Sequence, residues 1–168
     1  MNPELIRQIK SAVSGAAVSA EEFYAWLDGD SQIRELQNYR SIGWDVDETI
    51  YEHPHAPFFW RLIVDNPFDQ KHHIVTFRTG SMVHNIWRDL ARAGSPLIPL
   101  HFQSINSVPE EMWVSFQSHR RGLHPYSFWK GKTCKETGID VLIDDATMDV
   151  WAGCSEYQIE YLHPDMLA

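Results

Sequence analysis

Cysteine is nearly absent from this chain: Cys134 and Cys154 are the only two among 168 residues. Two such thiols cannot staple a small secreted scaffold and lack the spacing of a structural metal site, so they read as reduced thiols in a cytoplasmic protein. Long apolar runs are missing as well. No stretch is long enough to cross a bilayer, and Met1 to Lys10 carries charge where a secretory leader needs an apolar segment. The expectation is therefore a chain with no membrane partner. Basic charge is also scarce, with 14 Lys plus Arg against 23 Asp plus Glu and a formal net charge of -9. That balance excludes a broad nonspecific grip on nucleic acid while leaving room for a local basic pocket. Neither an internal repeat nor a low-complexity linker is visible.

What is present is an ordinary globular composition, 43% hydrophobic and 22% charged, at a length that fits one domain with a real core. Seven Trp, eight Phe and six Tyr supply large side chains, read first as core and second as an aromatic surface for a partner. Residues 1–40 read as a helical extension packing on a main domain of residues 41–168. Pro3 suits a first helical turn, and Leu5, Ile6, Ile9 and Val13 recur at helical spacing before Gly15. Ser19 then precedes Glu21 and Glu22 as an N-cap, with Phe23, Trp26 and Leu27 on one face until Gly29. A third helix is predicted from Ser31 to Tyr39. No residue here is assigned to chemistry; the extension is expected to pack on the core, cover a pocket mouth, or join two protomers as a homodimer.

From residue 41 onward, strand signals alternate with helix signals, which predicts an α/β fold with a parallel sheet covered on both faces. Predicted strands are the segment ending at Asp45, His72 to Phe77, Leu97 to Phe102, Ile139 to Ile143, and Tyr157 to Leu162. Predicted helices span Phe58 to Val64, Met82 to Ala93, Pro109 to His119 and Trp129 to Gly138. Arg120 and Arg121 are expected to close the Pro109 helix with basic charge.

Ser41 to Ile50 carries the densest chemistry, reading Asp45-Val46-Asp47-Glu48-Thr49 after a short apolar run. Two carboxylates so close repel unless a cation or proton sits between them. A second pair, Asp144 and Asp145, follows the apolar run Val141 to Ile143. In open parallel sheets ligands bind beyond the carboxyl ends of strands, so both pairs and the turn after Thr76 should converge. A divalent cation relieves the repulsion of four acids, and an all-oxygen site suits Mg²⁺. At the second turn, Thr76-Phe77-Arg78-Thr79-Gly80-Ser81 leads into a helix, a natural place for an anion. Thr76 or Thr79 would donate to it, Arg78 would neutralise it, and Ser81 is read as a helix cap. His53 and His55, beside Pro54 and Pro57, invite a transition-metal reading but are taken as loop residues.

The order of these motifs resembles the haloacid dehalogenase (HAD) superfamily of phosphohydrolases. The resemblance covers residues 41–150 and rests on Asp45-x-Asp47-x-Thr49, Thr76, a lysine at the head of a helix, and Asp144-Asp145. It departs at Glu48, where Gly or Asp is commoner, and at Trp44. The resemblance implies a three-layer Rossmann-like fold and an aspartyl-phosphate mechanism. Asp45 would be the nucleophile and Asp47 the general acid and base. Thr76 and a lysine would hold the transferring phosphoryl group, with Thr49, Arg78 and Thr79 near the substrate. Mg²⁺ would be bound by Asp45, the Asp47 backbone carbonyl and Asp144 or Asp145. The lysine is read as Lys130, fourteen positions before Asp144, with Lys132 in reserve; Asp149 is either an outer support or a first-turn acid. The intervals between motifs leave no room for a large cap, so an open cleft is expected for a phosphorylated substrate: a nucleotide, a nucleic-acid end or a phosphoprotein. A receiver domain is disfavoured because its acid pair should come early and its lysine late. The remaining rival is a catalytically silent binding or assembly module.

Overall fold

The computed structural model describes residues 18–167. The first predicted helix, Leu5 to Val13, lies outside the described residues. Helix α1, Ala20–Leu27, begins where predicted: the Ser19 hydroxyl accepts from Glu22 N–H at 3.2 Å, and the Glu22 carboxylate accepts from Ser19 N–H at 2.9 Å. This reciprocal cap satisfies donors that the first turn otherwise leaves free. Helix α2, Ser31–Leu36, stops earlier than the predicted Tyr39. Both helices turn apolar side chains inward. Phe23, Trp26, Leu27, Ile33 and Leu36 are buried in the same cluster as Ile42 and Trp44 of the sheet. Two hydrogen bonds pin the pair: Trp26 Nε1 donates to Leu167 O at 2.7 Å, and Arg61 Nη1 donates to Val18 O at 2.7 Å.

The sheet contains β1 (Ser41–Trp44), β2 (Lys71–Thr76), β3 (Ser104–Ser107), β4 (Val141–Ile143) and β5 (Glu160–Leu162), in the order β3-β2-β1-β4-β5. Every pairing is parallel, with Trp44 opposite Ile74 on one side and Ile143 on the other. The remaining helices are α3 (Ala56–Asp65), α4 (Ser81–Arg92), α5 (Glu110–Ser118), α6 (Pro125–Thr137) and α7 (Thr147–Glu156). The chain is thus α/β, with a five-stranded all-parallel sheet consistent with a Rossmann-like fold.

Strand alternation sorts the core into two layers. Ile42, Trp44, Ile74, Val141 and Ile143 join the side chains of α1 to α4, whereas Val75 and Leu142 join Cys134 of α6 and Val150 and Cys154 of α7. Both cysteines are buried free thiols. Among the described residues no helix is long and apolar enough to cross a membrane.

Three element predictions are corrected. The third strand is not Leu97 to Phe102. Pro99, which has no N–H to give a ladder, opens a 3-10 turn over Pro99–His101, and the strand is the polar segment Ser104–Ser107. This edge strand is half exposed, so it lacks the apolar run that marks buried strands. Helix α5 ends at Ser118, leaving Arg120 and Arg121 beyond it. Helix α4 has Gly80 as its N-cap with no side-chain bond, so Ser81 is an exposed first-turn residue, not the cap.

Candidate functional site

The switch in sheet order at β1 and β4 sets the site, because adjacent strands with connections leaving in opposite directions open a crevice at their carboxyl ends. Asp45 is the first residue past β1 and its N–H donates to Ile143 O at 2.9 Å; Asp144 is the first past β4 and donates to Leu162 O at 3.1 Å. Both acids are therefore fixed by backbone pairing before their side chains are considered. Trp44 sets the floor beneath Asp45. It is fully buried, lies 5.5 Å from the Phe59 ring, and its Nε1–H donates to His72 Nδ1 at 3.1 Å.

Lys130 joins the two strand ends. Only 1% of its side chain is exposed, and its Nζ donates to Asp45 Oδ1 at 2.8 Å and to Asp144 Oδ2 at 2.5 Å. The same ammonium stands 4.1 Å from the centre of the Phe77 ring. Lys132 is more than half exposed and sits 3.8 Å from Glu136, so Lys130 is the lysine of the cluster. Burial alone would discharge Lys130, but the Asp144 and Asp45 carboxylates more than reverse this and hold its pKa above the ordinary lysine value. Burial and the Asp144 charge push Asp45 up to about 7 against the pull of Lys130. Burial, Asp45 and Glu48 push Asp145 up to about 6.

Carboxylate oxygens of Asp45, Asp144 and Asp145 lie within 4.8 Å of one another and could hold a metal ion. Three carboxylates face one ammonium, and the upward shifts of Asp45 and Asp145 reflect burial and mutual repulsion that a divalent cation would relieve. The donors are all oxygen. Asp144 Oδ1 already accepts from Ala146 N–H at 2.9 Å, and Tyr161 Oη–H donates to Asp144 O at 2.7 Å, so the loop after β4 is held in place around the acids.

Asp47 faces elsewhere. Its carboxylate takes a two-pronged contact from Arg78, with Nη2 donating at 2.6 Å and Nε at 2.9 Å, and Arg78 Nη1 also donates to Asp89 Oδ2 at 2.7 Å. The Arg78 guanidinium, expected to neutralise an anion, is shared by two acids, Asp47 and Asp89. Among the described residues the acid trio does not include the Asp47 side chain. The loop between has a tight form, with Val46 O accepting from both Thr49 and Tyr51 N–H. Glu48 there has φ 54°, a left-handed conformation that costs a residue with a Cβ about 1–2 kcal/mol. Glycine would meet that geometry without the cost, which gives Glu48 physical meaning.

Thr76 ends β2 at the same sheet edge, fully buried, with its hydroxyl accepting from Arg78 N–H at 3.0 Å. Thr79 is buried in the turn that starts α4. Thr49 is fully buried and its hydroxyl has no hydrogen-bond partner among the described residues. Asp149 lies in the first turn of α7. The His53 ring bonds Asp165 at 2.9 Å and accepts from His55 N–H at 3.1 Å, bracing the loop.

Two depressions open near these loops, the first lined in part by Asp145 of the trio and the second by the Asp47 and Arg78 side chains. One, of about 560 Å³, is lined by Glu48, Asp145, His53 and Asp165 among others. The other, of about 460 Å³, is lined by Asp47, Arg78, Asp89 and Asn85 on its polar side and by Phe77, Met82, Trp113 and Tyr126 on its apolar side. Tyr126 stacks on Phe77 and on Phe116, each at 4.2 Å between ring centres, and Trp113 leans on Tyr126 at 5.6 Å. Sequence reasoning missed Asp89 and this aromatic wall. The available signal was the density of aromatics from Trp113 to Trp129, in a segment with no clear periodicity.

No family model, curated protein or solved structure matches the chain.

Proposed function

We propose that this protein is a magnesium-dependent phosphatase of the haloacid dehalogenase type, hydrolysing a phosphomonoester through an aspartyl-phosphate. One observation carries the reading: the buried Lys130 ammonium bonds Asp45, 85 positions away, and Asp144 at once. A structural ion pair needs one acid. Two acids on one buried lysine, with Asp145 beside them, leave excess negative charge that a divalent cation would offset before a phosphate approaches.

In this mechanism an Asp45 carboxylate oxygen attacks phosphorus, the bond from phosphorus to the ester oxygen breaks, and Asp47 gives its proton to the departing alkoxide. Water then attacks the phosphoryl group, Asp47 takes its proton, and Asp45 is regenerated with release of inorganic phosphate. Lys130 holds Asp45 in position and offsets negative charge gathered during transfer. Thr76, buried at the end of β2 at the same sheet edge, would donate its hydroxyl to the phosphoryl oxygens. Arg78 orients Asp47 and is in turn oriented by Asp89. Asp45, Asp144 and Asp145, with the Asp47 carbonyl, would hold Mg²⁺, which when bound neutralises phosphate charge so that one anion can approach another.

The test is phosphate release from p-nitrophenyl phosphate. Wild type with Mg²⁺ should turn it over and lose activity on chelation. Asp45→Asn should fall to background with unchanged circular dichroism. A wild type inert towards a broad panel of phosphomonoesters overturns the reading and favours a silent binding module.

A further inference from the structure

We infer that the cavity beside Asp47 receives the base of a nucleoside monophosphate, making the nucleoside the leaving group of the proposed reaction. The inference rests on the phosphatase reading and names its substrate class. The general acid must face the oxygen that departs, so the depression that Asp47 lines is where the leaving group lies.

Its chemistry selects that group in three ways. Trp113 presents the flat aromatic surface: Phe77 is covered by Tyr126 and the Lys130 ammonium, Tyr126 lies between Phe77 and Phe116, and helix α5, which supplies Trp113, has no buried residue of its own. Trp113 is half-buried and meets Phe116 and Tyr126 at tilted angles, with no ring stacked on its face among the described residues, so a planar ligand can stack against it. With Asp47 carrying the proton it donates, Arg78 is balanced by Asp89 alone, and its guanidinium is engaged by both acids. The cavity therefore has no spare cation for a leaving group that carries its own anion, such as a second phosphate or a sugar acid, whereas a neutral nucleoside needs none. Asn85 and Asp89 add hydrogen-bonding groups at the rim, matching the polar edge of a base and not the bare ring of a hydrocarbon. The volume, about 460 Å³, falls within the roughly 300–1,000 Å³ of sites that enclose a whole small ligand. A lone phenol ring, as from a phosphotyrosine side chain, would leave most of it unfilled.

The experiment compares AMP, GMP, CMP and UMP with ribose 5-phosphate, which carries the same 5′-phosphomonoester without a base. With Mg²⁺, kcat/KM for at least one nucleotide should exceed that for ribose 5-phosphate by about tenfold or more, the scale of one base stacked on an aromatic side chain. Trp113→Ala should collapse that ratio towards one, and Trp113→Phe should retain most of it. Equal turnover of ribose 5-phosphate and all four nucleotides, or a ratio untouched by Trp113→Ala, overturns the inference. If wild type releases phosphate from none of the five compounds, the phosphatase reading fails first, and the cavity is then judged without chemistry. Ligand-observed NMR with millimolar adenosine should show contact that Trp113→Ala removes; no contact in wild type overturns the inference.

Discussion

A buried ammonium between two buried carboxylates holds together only as a set. Replacing Lys130 by Met keeps much of the volume but strands Asp45 and Asp144 against each other, an uncompensated charge that costs about 3–5 kcal/mol. Urea unfolding of Lys130→Met at pH 7 should show a loss of that order. His72 makes a separate prediction. Its Nδ1 accepts from Trp44, so the folded ring is neutral, and burial, then His73 and His101, hold its pKa down to about 4 from the ordinary 6.5. Between those values the unfolded chain binds a proton that the folded chain refuses. The stabilisation is therefore complete above pH 6.5 and is lost as pH falls towards 4, by roughly 3 kcal/mol for a shift of this size. In His72→Gln the slope of unfolding free energy against pH across that window should flatten. At this scale Lys130 was legible through the resemblance, which puts it fourteen positions before Asp144. Its helix starts at Pro125 and not at the expected Trp129, so Lys130 lies in the second turn and not at the head. The sequence did not reveal that Arg78 serves Asp47 and Asp89, because that pairing depends on how the turns after β1 and β2 come to face each other.

Helices α6 and α7 cross at a pair of glycines. A Cβ on Gly131 would come within 2.2 Å of the Gly153 carbonyl, and a Cβ on Gly153 within 2.9 Å of the Phe128 Cα, so the two backbones touch where side chains would normally separate them. Gly131 directly follows Lys130, and the close crossing draws that lysine down to the strand ends. Gly131→Ala should destabilise by about 1–3 kcal/mol or more, as an overpacked core does, visible as a lowered midpoint in thermal unfolding. The variant should also lose the proposed phosphatase turnover through displacement of Lys130. Elements with strong apolar patterning were readable: β1, β2, β4, β5 and helices α1, α3 and α4 fall where periodicity put them, within a few residues at their ends. Strand β3 was not, since an edge strand of Ser, Ile, Asn and Ser carries no core signature; it is held by side chains, with Asn106 Nδ2 donating to Ile74 O at 3.1 Å. Helix α5 was foreseen from its Pro-Glu-Glu start. Its partner in building a cavity wall was hidden, because the wall combines positions 77, 82, 113 and 126 from four segments.

Across the whole molecule, alternation of strands and helices was enough to anticipate a parallel layered sheet, and two acid pairs after apolar runs were enough to bring Asp45 and Asp144 together. What the sequence could not supply was the direction each side chain takes once there. Asp47 shares a motif with Asp45 yet turns away to Arg78, a choice made by the strained Glu48 turn and by a guanidinium 31 positions further on. The wide spacing of the cluster has one further consequence. A chain still being synthesised emerges with Asp45, Asp47, Thr76 and Arg78 long before Lys130 and Asp144 leave the ribosome, and β1, central in the finished sheet, waits with one flank bare until β4 arrives. Nascent chains shorter than that lack the Lys130 and Asp144 half of the cluster, so the proposed activity should appear only after β4 has been made.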